Sequence, residues 1–188
     1  MQLLPEHFLG FQNAWWFSLS YGILSLGIMI FLPKERRKRI LTFPKFNTKK
    51  DKVLSGLALF VFGRGLIIYS IFIPFKMSTS SFYIGLLVYL IGMLSSVYSM
   101  WSFSQADLIR PVTNGIYKIT RHPMQVMGVI MWVGIGITAG NWILIACAIL
   151  LAIVSYPSLE AQERFCMEKY GEEYIDYLKR TPRYILFK

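Results

Sequence analysis

The sequence predicts an all-α fold, a polytopic membrane bundle of about five transmembrane helices. Three observations carry this. Hydrophobic residues make up 55% of the 188-residue chain and charged residues only 16%, a balance too apolar for a water-soluble domain of this size. Several stretches approach or exceed the roughly 20 apolar residues that cross a bilayer core. The basic residues, finally, fall almost entirely between those stretches.

The first span, 14–33, contains no charge, and neither does the third, 82–103. The second, 53–73, holds a single charge, Arg64, whose penalty of roughly 2.5–3.5 kcal/mol at mid-membrane the surrounding apolar residues can absorb. From Met124 to Pro157 no residue is charged. As one helix, that stretch would reach about 51 Å, far more than one crossing needs. It therefore predicts a helical hairpin of spans 124–139 and 142–157, turning at Gly140-Asn141, where a flexible and a polar residue interrupt two apolar runs. The chain reads as a single membrane domain, with a C-terminal part, 104–188, that holds most of the polar chemistry.

The formal charge of +10 does not imply nucleic acid. Nine of the twenty basic residues lie between Lys34 and Lys52, three between the third and fourth spans, and six after the fifth. By the positive-inside rule these segments face the cytoplasm, which places the polar segments that flank the hairpin, and the C-terminus, on that side. The basic run Lys34 to Arg39 serves as a topology signal or as a contact for anionic membrane lipids. Residues 1–13 lack the basic start of a secretory signal, so the first span is expected to remain in the mature protein. Cys147 and Cys166 are not spaced as a redox or zinc pair; no metal is expected, and both cysteines read as packing residues. Nothing in the sequence specifies an oligomeric state.

Two polar clusters flank the hairpin. In the first, Gly115, Tyr117, Arg121 and His122 lead into Pro123, which biases His122 away from helical geometry and suits the first turn of the fourth span. Arg121 and His122 thus stand at a helix N-terminus, whose free N–H groups and partial positive charge suit a carboxylate or phosphate. The same residues could equally anchor the span among headgroups. In the second cluster, Glu160 and Glu163 follow the last span. Glu160 and Arg164 have the spacing of a surface ion pair, and Tyr170, Tyr174, Tyr177 and Leu178 share one face of a C-terminal amphipathic helical segment, with Gly171 as a break.

Together, Gly115-Ile116-Tyr117, Arg121-His122-Pro123-Met124, Gly128, Glu163, Tyr170-Gly171-Glu172-Glu173-Tyr174, Tyr177 and Pro182-Arg183 resemble the isoprenylcysteine carboxyl methyltransferase and phospholipid methyltransferase family of integral membrane enzymes. The resemblance covers about the last 80 residues. It implies an S-adenosylmethionine-dependent methyltransferase acting on a lipid-like acceptor, an isoprenylcysteine-type carboxylate or a phospholipid amine. It further implies a cofactor site built from Gly115, Tyr117, Arg121, His122, Pro123 and Glu163, with Arg121, His122 and Glu163 nearest the chemistry. Two positions depart from the pattern: Gln162 stands where the first of two glutamates is expected, with Glu160 one turn earlier as a substitute, and Gln125 stands in place of a tyrosine. Arg64, Trp101 and Trp132 are candidates for the acceptor side; snorkelling for Arg64, and packing or an interfacial belt for the tryptophans, are the competing readings. A non-catalytic scaffold of the same fold and an NADPH-dependent reductase of the sterol-reductase type are the alternatives.

Overall fold

A computed structural model describes residues 8–41, 46, 48–107 and 109–185. Among the described residues the elements are helical, joined by turns, with one isolated bridge between Asn13 and Pro74. This is the all-α polytopic membrane bundle that the composition predicts. Bilayer hydrocarbon offers no partner for a free N–H or C=O, so a chain this apolar satisfies its backbone within helices.

Helix α1 (Trp15–Phe31) is followed by the short basic α2 (Lys34–Leu41). A rod of 22 residues then runs from α3 (Lys49–Gly56) through a π-helical stretch (Leu57–Gly63) into α4 (Arg64–Ser70). It begins four residues before the expected span because the Thr48 hydroxyl caps it, accepting from Asp51 N at 3.0 Å. Helix α5 (Ser80–Gln105) is capped in the same way by Thr79. A 3-10 turn (Gly115–Lys118) precedes α6 (Pro123–Thr138), α7 (Trp142–Val154), α8 (Tyr156–Tyr170) and α9 (Glu172–Arg180). Three of these helical rods are long and apolar enough to cross a membrane, and α1 and α6 are shorter apolar helices.

The hairpin between α6 and α7 forms where expected. Gly140 adopts φ of +60°, and the Asn141 side chain caps α7 through Leu144 N at 3.0 Å. The second arm, however, does not stop at 157. Pro157 falls in the first turn of α8, where a missing N–H does no harm, so α7 and α8 form one rod of 29 residues. About the first 20 of those residues suffice for the crossing; the polar remainder carries Glu163 clear of the membrane core.

Helices α5 and α6 pack antiparallel and very closely. Gly85 meets the backbone of Thr138, Gly134 that of Tyr89, and Gly92 that of Met131. Carried on along both helices, this register brings Phe103, at the end of α5, alongside the segment that leads into α6. At one end of the bundle, Ala14 N donates to Ile73 O and Asn141 Nδ2 to the Tyr69 hydroxyl. The opposite, basic end gathers α2, the 3-10 turn, the start of α6, α8 and α9. Arg36 Nη1 ties α2 there by donating to Ser104 O at 2.6 Å.

Candidate active site

Pro123 occupies the first turn of α6, so His122 becomes its N-cap residue, with φ −125° and ψ 57°. This non-helical backbone turns the imidazole toward α8, where Nε2 lies 3.0 Å from Glu163 Oε1. Arg121 Nη1 lies 3.2 Å from the same oxygen. Arg183 completes the cluster, placing Nε 3.1 Å from Oε1 and Nη2 2.6 Å from Oε2. One carboxylate therefore holds three nitrogenous side chains from two separate parts of the chain, the segment leading into α6 and the C-terminal strap.

The C-terminal strap makes this arrangement durable. Thr120 Oγ1 donates to Arg183 O at 2.6 Å, Arg121 N donates to Pro182 O at 3.0 Å, and the Tyr177 hydroxyl donates to Tyr117 O at 2.7 Å. Tyr174 and Tyr177 are buried, so the aromatic face of α9 lies on the bundle. Gly171 permits the fold-back with φ of +57°. The Arg183 guanidinium also sits over the Tyr156 ring, 4.7 Å from its centroid, a favourable place for a cation.

Burial pushes the Glu163 carboxyl up, but the hydrogen bonds from His122 and Arg183, with the Arg121 charge, outweigh it and bring its pKa down to about 2. Burial pushes His122 below its usual range, and the flanking arginines add to this, while Glu163 opposes it. Burial raises the phenols of Tyr174 and Tyr177, which stay protonated. His122 is accordingly neutral at pH 7. Because a carboxylate can only accept, its Nε2 carries the proton, and Nδ1 is left as an acceptor.

These directions fix the pH response. Below the unfolded histidine value near 6.5, an unfolded chain takes up a proton that folded His122 refuses, so stability falls as pH drops from there toward the lower folded pKa. Glu163 contributes a stabilisation that is present in full above 4.5 and is lost as pH falls from 4.5 to about 2. A thermal unfolding midpoint that starts to fall near pH 6.5 in detergent is expected, with His122→Gln flattening that upper limb. An identical pH profile for wild type and variant would refute the assignment.

A cavity of about 460 Å³ opens against this cluster, within the range typical of small-molecule sites. Tyr117, Arg121, His122 and Pro123 line it from the α6 side and Gln162 from α8. Glu35 and Lys38 of α2 also reach it, which the sequence reading missed by taking that loop as a topology or headgroup signal. Buried Arg121 Nε has no hydrogen-bond partner. With two arginines, one glutamate and a neutral histidine, the cluster retains one uncompensated positive charge. An orphaned cationic donor beside a helix N-terminus is a fitting receptor for an anionic group.

The remaining candidates fall elsewhere. Gly115 lies outside the cavity lining; its φ of +62° starts the 3-10 turn, so its part is conformational. Arg64 is exposed on the outer surface of its rod, its guanidinium 4.3 Å from the centroid of the Phe60 ring. Trp101 is 47% exposed, because two residues along a helix from the cavity-lining Phe103 is about 200° around it. Trp132 is buried in the core about 13 Å along α6 from Pro123. Neither Arg64 nor the two tryptophans line the cavity. Glu160, the expected substitute for the missing carboxylate, is not among the cavity-lining residues, and no ion pair joins it to Arg164. Arg183 is the functional residue left without a role, since nothing local to Pro182-Arg183 reveals that it reaches Glu163.

Among curated proteins, the nickel-cobalt-cadmium resistance protein NccN of Alcaligenes xylosoxydans xylosoxydans is 32% identical over 73 residues, 39% of this chain. The match spans about a third, 34%, of that relative's length. Residues 80–173, half of the chain, match the phospholipid methyltransferase family, a region containing α5 through α8 and hence Arg121, His122 and Glu163. On that match, the chain belongs to the phospholipid methyltransferase family of membrane proteins.

Proposed function

We propose that this protein uses S-adenosylmethionine to methylate a lipid-like acceptor, an isoprenylcysteine-type carboxylate or a phospholipid amine, at the cytoplasmic face of its membrane. The orphaned Nε of buried Arg121, beside the α6 N-terminus and facing a cluster of residual positive charge, is the observation that carries this reading. Arg121 and the first turn of α6 would hold the carboxylate of the cofactor's amino-acid end, and Tyr117 and His122 would orient it from the cavity wall. When bound, S-adenosylmethionine supplies a methyl group activated by its sulfonium.

The resemblance places Glu163 in the cofactor site, and its part there is indirect. Both its oxygens are engaged, so it is a positioning residue that fixes Arg121, His122 and Arg183. It does this without a second carboxylate, which removes the difficulty posed by Gln162. The chain's work is orientation and exclusion of water, which can supply much of the rate enhancement for an in-line displacement. An amine acceptor must also lose a proton, and His122 Nδ1 is the acceptor available for it. A carboxylate acceptor is already ionised at neutral pH.

Purified protein incubated with methyl-labelled S-adenosylmethionine and a membrane lipid extract should transfer label to lipid. Arg121→Ala should weaken cofactor binding by about tenfold or more, as loss of a charge-assisted hydrogen bond does, measured by calorimetry. No label in lipid would leave the scaffold reading, and binding of NADPH in place of S-adenosylmethionine would leave the reductase. Unchanged affinity in Arg121→Ala would refute the site.

A further inference from the structure

Arg164 adjoins Glu163 in sequence but points away from its cluster. Along α8, Gln162, Phe165, Cys166 and Lys169 line the cavity, and Arg164 does not; at about 100° per residue it lies on the opposite side of the helix from Gln162 and Cys166. Its Nε and Nη2 are both buried and have no hydrogen-bond partner. These two nitrogens form the edge of a guanidinium that takes two oxygens of one anion in parallel. Arg183 uses the same edge on Glu163. In Arg164 that edge has no hydrogen-bond partner among the described residues.

A second orphan lies on the neighbouring element. Helix α3 packs against α8, and its Ser55, 9% exposed, has a buried hydroxyl without a partner. Asp51 stands on α3, and Glu160 and Glu168 stand one turn either side of Arg164, yet none bonds the fork. Lys49, Lys50 and Lys52, all exposed, bring positive charge to the start of the α3 rod. That rod is long and apolar enough to cross a membrane, so its basic start stands at headgroup level. Leaving a buried charged donor unpaired is costly, and an anion that offers two oxygens to the fork, as a phosphate does, relieves that cost.

We propose that Arg164, with Ser55, forms a phosphate-binding site between α3 and α8, separate from the catalytic cavity and independent of the reaction run there. The guanidinium edge takes two phosphate oxygens, and the serine hydroxyl donates to a third or to an ester oxygen. Phospholipid headgroups and free phosphate share this chemistry. An occupant ties α3 to the helix whose other side lines the cavity.

The test uses the full chain in a neutral detergent, with dihexanoyl phosphatidylglycerol and inorganic phosphate as separate probes, each followed by the shift in thermal unfolding midpoint. Wild type should be stabilised in a saturable manner by at least one of them. Saturation by the lipid alone identifies a headgroup site; saturation by both identifies a phosphate site open to either source. Arg164→Gln should weaken the apparent affinity about tenfold or more, and Ser55→Ala severalfold. Arg164→Lys keeps the charge but lacks the fork; it should also bind more weakly, and it carries the test if Arg164→Gln does not fold. Absence of a saturable shift with either probe would overturn the proposal, as would equal affinity in wild type and Arg164→Lys.

Discussion

Glu163→Ala should lose about 3–5 kcal/mol of folding stability, the range measured when one partner of a buried ion pair is removed, and should lose cofactor binding with it. Glu163 is 5% exposed and its carboxylate is shared by Arg121, His122 and Arg183. Without it, two guanidinium groups face each other across a buried space with no counter-ion. The depression of the carboxyl to about 2 from 4.5 points the same way, corresponding to about 3 kcal/mol of preference for the ionised form. Glu163→Gln separates charge from shape: it retains an acceptor oxygen but no charge, and should be nearly as damaging.

The decisive comparison adds Arg183→Met. Alone, that substitution removes one cation and leaves Glu163 paired with Arg121 and His122, so its effect should be the smaller one. Combined with Glu163→Gln, it removes the repulsion left behind, and the double variant should be more stable than the two single losses predict, by roughly 1–3 kcal/mol of coupling. Unfolding midpoints of the four proteins in one detergent provide the measurement. Strict additivity would mean that Arg183 and Glu163 do not act as a unit, and the site as drawn here would fall.

Much of this site is legible in the sequence, but unevenly. Pro123 marks a helix start, and with it the exposed helix end at Arg121 and His122, because proline's geometry is a local property. The hairpin at Gly140-Asn141 is legible for the same reason. What a residue touches across the bundle is not local. The fourfold engagement of Glu163 depends on a strap 20 residues later that folds back at Gly171, and no pattern near Arg183 encodes its destination. Trp101 shows the opposite failure: its neighbourhood suggests an acceptor site, but helical phase turns it outward. Pro157 reads equally as the end of a span or the first turn of a continuing helix, and the sequence alone does not choose between them.

The other large effect belongs to the contact that sets the site's scaffold. In a membrane no hydrophobic force drives helices together, so close backbone packing at small residues supplies the association. At Gly92, an added Cβ would lie 2.8 Å from both Met127 O and Met131 Cα; at Gly134, 2.6 Å from Tyr89 Cα. These are backbone atoms of the facing helix, which cannot rotate aside, so α5 and α6 must separate. Gly92→Leu should therefore exceed the usual overpacking loss of about 1–3 kcal/mol, with Gly92→Ala showing a smaller loss of the same sign. Because α5 ends at the cavity-lining Phe103 and α6 begins at Pro123, the separation should also reach the site and weaken cofactor binding in proportion. Gly128 supplies the control on the same helix: nothing lies within 4 Å of an added Cβ there, and Gly128→Ala should be neutral or stabilising by up to about 1 kcal/mol through helix propensity. Equal losses for Gly92→Ala and Gly128→Ala, read from unfolding midpoints, would show that glycine's flexibility rather than the closeness of α5 and α6 governs this interface.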